Sequence, residues 1–476
     1  MKAGKGIGTF LFAATLAGCA VRPTAARPFA EELETAHWQA EIDRTAAAGG
    51  GVVRVTEGRH RVGSLFLKSN VTLEIPAGAV LEGSTNISDY TDIVLEFAEN
   101  PEPWQSLIAA VGQTNVAVVG AGEIDGNGTG FAWGVRVGRP KGLLFLKCRD
   151  VRVEGLTLRD LARWTCYFKE CERCVYRRIR VDSHANWNND GVDIDAKDVL
   201  VEDCDIDADD DGIVLKSDNP SFVCENVEVR NCRVRSCASL FKLGTGSHGG
   251  FRNVHVHDCR GGKALREVID PKTGNGFLSD YRAPKFPGST VAPCPISGIA
   301  IECVDGGLAE NIRFSRIEIA EACVPIFVRL GVRIRRRFGP GNWLKIPFGG
   351  QAVLRNVLLE DIRARAGSFT ASSITGVPQA RVRGVTLRNV AIEVPGAGEA
   401  GKDVLGLPVA ENENGYPEAF MFGYSMLPAY GFYVRHADDV LFENVMFKVG
   451  GEEFRPAIHR DDVGERLRET ARQNGK

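Results

Sequence analysis

The chain has 476 residues, 44% hydrophobic and 25% charged, the make-up of a globular protein with one large domain or two to three ordinary ones. Its 58 basic and 61 acidic side chains leave a net charge of −3, so no broad positive field points to nucleic acid as a partner. The 54 glycines, set among many short Val/Ile/Leu runs, imply frequent turns between short strands.

Lys2 and Lys5 precede an apolar run from Thr9 to Ala17 that is too short to span a bilayer. It ends in Leu16-Ala17-Gly18-Cys19, similar to a bacterial lipobox. Residues 1–19 are therefore expected to be a lipoprotein signal peptide. A lipidated Cys19 would tether an exported protein to a bacterial membrane, in the periplasm or at the cell surface. The alternative is an ordinary cleaved signal with an incidental cysteine. Residues 20–28 read as a linker, 29–450 as one domain and 451–476 as a polar tail. Phe29–Ala48 is expected to be a helix, with Leu33, Ala36 and Ala40 on one side, Trp38 and Ile42 nearby, and Gly49 to Gly51 stopping it. Such a helix would cap the first open edge of a sheet.

A short pattern recurs through the rest: one or two polar residues, an aliphatic residue, then alternation. It starts at Arg149, Lys197, Glu225, Arg252, Glu310, Arg355, Arg383 and Asp438. Several starts lie 27 or 28 residues apart, and the wider gaps read as two turns or as one turn carrying a loop. A unit this short cannot bury its own apolar face. Stacked copies would form ladders of inward aliphatic residues, which is a parallel β-helix with adjoining strands about 4.8 Å apart. A propeller blade would need about 40–45 residues and other signatures. The fold class expected is all-β, a single-stranded right-handed parallel β-helix with an N-terminal capping helix. Three segments interrupt the repeat, Lys263–Pro295, Gly331–Gly350 and Gly396–Tyr430, and insertions of this kind tend to shape a cleft. The twelve cysteines after Cys19 sit mostly in strand-like segments and read as buried thiols. Cys171 and Cys174 have the gap of a zinc half-site, but no second half follows.

Two successive turns carry the chemistry. Asn188-Asn189-Asp190-Gly191-Val192-Asp193 aligns with Asp209-Asp210-Asp211-Gly212-Ile213, placing Asp190 over Asp211 with Asp210 beside them. Carboxylates so close repel, and at least one should hold its proton above the usual range. Glycoside hydrolysis needs such a set: one acid to protonate the leaving oxygen and one carboxylate to activate water. Acidic turn residues without a role, or a calcium site built from the same oxygens, are the alternatives.

These motifs resemble glycoside hydrolase family 28, the pectin-degrading polygalacturonases. Asn188-Asn-Asp-Gly is similar to the family's Asn-Thr-Asp-Gly, and Asp210-Asp-Gly-Ile-Val-Leu-Lys-Ser to its Asp-Asp-Cys-Ile-Ala-Leu-Lys-Ser. The likeness runs from about Phe29 to Phe447, through Gly63-Ser-Leu-Phe-Leu, Arg139-Pro and Arg163-Trp164-Thr. It implies an inverting hydrolase of an α-linked galacturonide or related pectic sugar. Asp210 would be the general acid, and Asp190 and Asp211 the pair that activates water. No cofactor or metal is implied, and a monomer acting on a pectic oligo- or polysaccharide is expected.

Two departures from the family pattern stand out. Ser239 takes the place of the family's active-site histidine, and His248 lies nine residues further on. In Gly298-Ile-Ala-Ile-Glu302, Ala300 and Glu302 replace an Arg/Lys pair that binds the galacturonate carboxylate. Alternation with Ile299 and Ile301 places Ala300 and Glu302 on the outer, cleft-facing side, and likewise Asp193, Asp195, Lys216 and Lys242. Lys216 and Lys242 become candidate replacement cations, and Glu302 a new carboxylate. Arg329, Arg333, Arg435 and His436 are further candidates. Trp164, Trp187, Tyr424 and Tyr430 could stack on sugar rings; Trp187 is favoured because it lies beside Asn188 and the Asn189-Asp190 pair. A calcium-dependent β-helix lyase and a non-catalytic glycan-binding surface lipoprotein are the competing readings.

Overall fold

In the computed structural model, the residues described are 33–97, 104–133, 135, 137–266, 286–289, 294–333, 335–337, 343–345, 352–412, 416–423, 425–464 and 469–473. Cys19, residues 20–28 and Tyr424 therefore lie outside the described residues, as does most of the Lys263–Pro295 and Gly331–Gly350 insertions.

The recurring pattern marks one corner of a parallel coil. Lys197 pairs in register with Glu225, Glu225 with Arg252, Arg252 with Glu310, Glu310 with Arg355, Arg355 with Arg383 and Arg383 with Asp438. The wider gaps are thus single turns carrying insertions. Between Arg149 and Lys197 a further turn intervenes at Glu172, where the pattern is masked by Arg173-Cys174. The second polar residue of each repeat takes a left-handed conformation: φ is 56° at Asp198, 57° at Asn226, 53° at Asn253, 57° at Asn311 and 56° at Asn356. Asn and Asp tolerate this conformation better than other side chains, which explains their recurrence. Their amides bond to one another along the coil, Asn253 to Asn226 at 3.0 Å and Asn311 to Asn253 at 3.0 Å.

Inside the coil, alternating residues of each strand stack into apolar columns. Cys166, Val192, Ile213, Phe241, Ile299 and Ile326 belong to one, each at most 1% exposed. All twelve described cysteines are buried, several with Sγ against a backbone carbonyl, such as Cys171 to Phe145 O at 3.1 Å.

The capping helix spans Thr35–Ala47, so Leu33 lies outside it; Phe29 to Glu32 are not described. Its covered face is Trp38 and Ile42, while Ala36 and Ala40 face outward. Gly50 ends it at φ 117°, where a Cβ would meet the Asn70 carbonyl oxygen at 2.5 Å. The coil also runs on past residue 450. Ile458–Val463 pairs with Phe432–Val449 from Phe432↔Ile458 to Ala437↔Val463, in the stretch read as a polar tail. No helix among the described residues is long and apolar enough to cross a membrane.

Candidate active site

Asp190 and Asp211 face one another across adjoining coils. The Gly191 amide donates to Asp211 O at 2.9 Å, and Val192 pairs with Ile213, so the alignment on Asp-Gly-aliphatic is the spatial one. The same column holds Ser239 and then Ser297 in the next two turns: the Gly212 amide donates to Ser239 O at 2.8 Å, and Ser239 pairs with Ser297. Gly191 and Gly212 allow the tight ascent, since a Cβ on Gly191 would lie 2.4 Å from Gly212 O.

Asp190 is 2% exposed, Asp211 4% and Asp210 8%, which makes Asp210 the most open of the three. Asn188, held at φ 58°, donates through Nδ2 to Asp210 Oδ2 at 2.9 Å, and the Asp211 amide donates to Asp210 Oδ1 at 3.0 Å. Asp211 is held by Lys242, whose Nζ is 3.1 Å from Oδ2, and its Oδ1 accepts from the Ser239 amide at 3.2 Å. Burial pushes the Asp190 carboxyl well above the ordinary carboxylate range. The charges of Asp193, Asp210 and Asp211 add to this, and Lys216 opposes it from 4.0 Å. Asp190 is thus the carboxyl that holds its proton above the usual range, and it can accept a proton from water only once it has ionised.

The outer columns are not open to solvent, which corrects the reading of Asp193, Asp195, Lys216, Lys242, Ala300 and Glu302 as cleft-facing. These side chains do leave the apolar interior of the coil, yet all are 5% exposed or less. Ala300 lies in a second apolar layer with Phe286 from the insertion after Lys263, Phe327 from the strand Val324–Leu330, and Ala419 and Met421 from the insertion after Gly396. Lys216 lies 3.5 Å from Asp193 Oδ1 and 5.3 Å above the Trp164 ring. Lys242 touches Asp211 and Glu418 and lies 3.9 Å from Glu302. Both lysines therefore neutralise the protein's own carboxylates instead of standing ready for a substrate acid. Burial lowers the Lys242 ammonium, but Asp211, Glu418 and Glu302 outweigh it and hold the group well above its ordinary value. Glu302 is itself pushed up by burial, against the pull of Lys242.

Arg329 donates to Gly376 O at 2.7 Å, and Arg333 forks onto both oxygens of Asp305 at 2.9 and 2.5 Å, so each is engaged in the framework. Arg435 and His436 both contact Glu411. The His248 amide donates to Ser217 O at 2.7 Å, and its ring lies 4.0 Å from Asp305, not over the aspartates. Ser239 is wholly buried. Trp164 packs edge-on against Trp104 at 5.4 Å, and Tyr430 against Phe447 at 5.6 Å, which removes both as sugar platforms. Trp187 is half-buried, with the Arg139 guanidinium 5.8 Å from its ring centre and donating to its carbonyl at 2.6 Å. Glu418 was missed: it stands 176 residues from Lys242 in a stretch without repeat, where no sequence signal marks it.

Residues 52–263 match the model of Glycosyl hydrolases family 28. A probable polygalacturonase of Arabidopsis thaliana is 24% identical over 285 residues, 59% of this chain and 59% of the relative. A Dickeya chrysanthemi exo-poly-α-D-galacturonosidase is 36% identical over 106 residues, 20% of this chain and 17% of the relative. The chain thus spans about three-fifths of the length of the first of these relatives and a smaller share of the other. Among solved structures, the Yersinia enterocolitica family 28 exopolygalacturonase superposes with a TM-score of 0.64 at 17% identity, covering 91% of this chain and 75% of that one. The Thermotoga maritima exopolygalacturonase gives 0.56 at 21% identity, covering 75% and 83%. These superpositions establish the right-handed parallel β-helix. The matched stretch contains Asp190, Asp210 and Asp211 with the coils that bring them together, and over those residues the chain is similar to glycosyl hydrolase family 28.

Proposed function

We propose that the chain is an O-glycosyl hydrolase that cleaves an α-linked galacturonide or related pectic sugar, with inversion, from the end of the sugar chain. The observation that carries this reading is the register of Asp190 on Asp211 across two coils, with Asp210 held beside them by Asn188. Asp210, the most open of the three, gives its proton to the leaving oxygen as the bond breaks. Asp190 and Asp211 take the proton of the attacking water, with the Lys242 ammonium 3.1 Å from Asp211 Oδ2. Action at a chain end is supported by how closely the three carboxylates are covered and by the insertion after Gly396 reaching Lys242 through Glu418. It is also supported by the names of the exo-acting relatives. Export with lipid on Cys19 belongs to the same reading and rests on Leu16-Ala17-Gly18-Cys19; the mass of the mature N-terminus checks it.

Asp210→Asn should lower turnover of pectic oligosaccharides by about 10²-fold or more while the circular dichroism spectrum and oligosaccharide binding persist. Near-wild-type rates in that variant would overturn the acid assignment. Proton NMR of the first-formed anomer tests inversion, and release of single sugars instead of a ladder of fragments tests end action.

A further inference from the structure

We infer that His184, Asp209 and Cys237 form a binding site for a divalent cation of the zinc class, stacked through three successive coils beside the aspartate cluster. A ring nitrogen of His184, a carboxylate oxygen of Asp209 and Sγ of Cys237 lie within 4.8 Å of one another, and all three residues are buried. The coil places them there. Ser183 pairs with Ala208 and Ala208 with Ser236, so the residue after each falls into one column. The backbone ladder continues through that column: the Asp209 amide donates to Ser183 O at 3.2 Å and the Cys237 amide to Ala208 O at 3.3 Å.

The histidine supplies the second, independent observation. Its side chain is wholly buried, and Nε2 lies 3.1 Å from Asp207 Oδ1. Nδ1 is buried with no hydrogen-bond partner. With Nε2–H donating to Asp207, the lone pair is on Nδ1, the atom that can bind a cation. A carboxylate that fixes the ring of a histidine from its far nitrogen is the usual outer partner of a metal-bound imidazole. A buried imidazole nitrogen left without a partner is otherwise costly.

Donor chemistry selects the ion. One imidazole, one thiolate and one carboxylate suit zinc far better than calcium or magnesium, which prefer oxygen alone. Bonds of about 2.0–2.3 Å in tetrahedral geometry separate donor atoms by roughly 3.3–3.7 Å, so a contraction of at most about 1.5 Å closes the set, with water as fourth ligand. On binding, Cys237 releases its thiol proton to solvent and the sulfur donates as thiolate. Asp209 immediately precedes Asp210, and Ser236 Oγ donates to Asp210 O at 2.5 Å, so the ion would tie the turns from which Asp210 projects. The site is independent of the hydrolase reading.

The full chain, stripped with chelator and refolded or dialysed metal-free, should bind one Zn²⁺ in calorimetry and gain thermal stability. Co²⁺ in its place should produce a thiolate-to-metal charge-transfer band. Cys237→Ser should abolish that band, and His184→Gln should weaken Zn²⁺ by at least tenfold; glutamine keeps an N–H for Asp207, so this second variant guards against misfolding. Asp207→Asn, which leaves the donor set intact, should weaken binding by roughly tenfold. The absence of a band in the folded wild type, or equal Zn²⁺ affinity in wild type, Cys237→Ser and His184→Gln, overturns the site whatever the sugar assays give.

Discussion

Removing the Lys242 ammonium tests the charge architecture of the site most directly. Its Nζ lies 3.1 Å from Asp211 Oδ2, touches Glu418 and is 3.9 Å from Glu302, and all four side chains are nearly or wholly buried. Burial pushes the Glu302 carboxyl up, toward its neutral form, and Asp211 and Glu418 are the carboxylates nearest Lys242. At an effective dielectric of 20, a pair 3.1 Å apart attracts by about 5 kcal/mol, most of it offset by the cost of taking the ions out of water. Lys242→Met keeps the volume but takes the ammonium away from two buried carboxylates, and breaking such a cluster costs about 3–5 kcal/mol. Glu418→Gln leaves Lys242 paired with Asp211 and should cost about 1–2 kcal/mol. The double variant should recover about 1–3 kcal/mol relative to the sum, because it removes one of the stranded anions. Urea unfolding followed by circular dichroism, with an unchanged slope in urea, measures all three. A loss below about 1 kcal/mol for Lys242→Met, or strict additivity in the cycle, would refute the reasoning.

Other outcomes follow from the same coordinates. Lys216 holds Asp190 down from 4.0 Å against burial, so Lys216→Met should raise that carboxyl further; because the base works only when ionised, the acid limb of the kcat/KM profile should move to higher pH. One ammonium, Lys169, serves two buried carboxylates, Asp195 at 2.6 Å and Asp218 at 2.8 Å, and burial pushes Asp195 up to about 7. From about pH 4 to about 7 the folded chain then keeps a proton that the unfolded chain has released, so stability falls as pH rises, by on the order of 4 kcal/mol from this group. Urea midpoints at pH 4.5 and 7 should show that slope in the wild type and its loss in Asp195→Asn. Ile213→Ala, in the apolar column directly above the aspartates, should cost about 2–5 kcal/mol in the same unfolding experiment.

What could be read from the letters alone was the periodic part. The spacing of Lys197, Glu225 and Arg252 is a backbone register, and Asp190 over Asp211 follows from the Gly-aliphatic pair behind each. Alternation also assigned each side chain correctly to the inside or the outside of the coil. It carried no information on what lies over the outside. Ala300 is buried because Phe286, Ala419 and Met421 pack with it from segments with no repeat, and a partner of Lys242 is supplied by one of these segments. The end of the coil was misplaced for a related reason: Ile458–Val463 alternates in polarity too weakly to announce a strand, yet it pairs against Phe432–Val449.

A stacked coil ordinarily melts from its ends, each winding answering only to its neighbours. The Lys242–Glu418 contact breaks that locality, since Glu418 belongs to the excursion between Val382–Val394 and Phe432–Val449. Fraying of the distal windings therefore pulls a counter-charge out of the reaction centre. Loss of turnover on warming should accordingly precede loss of the central sheet.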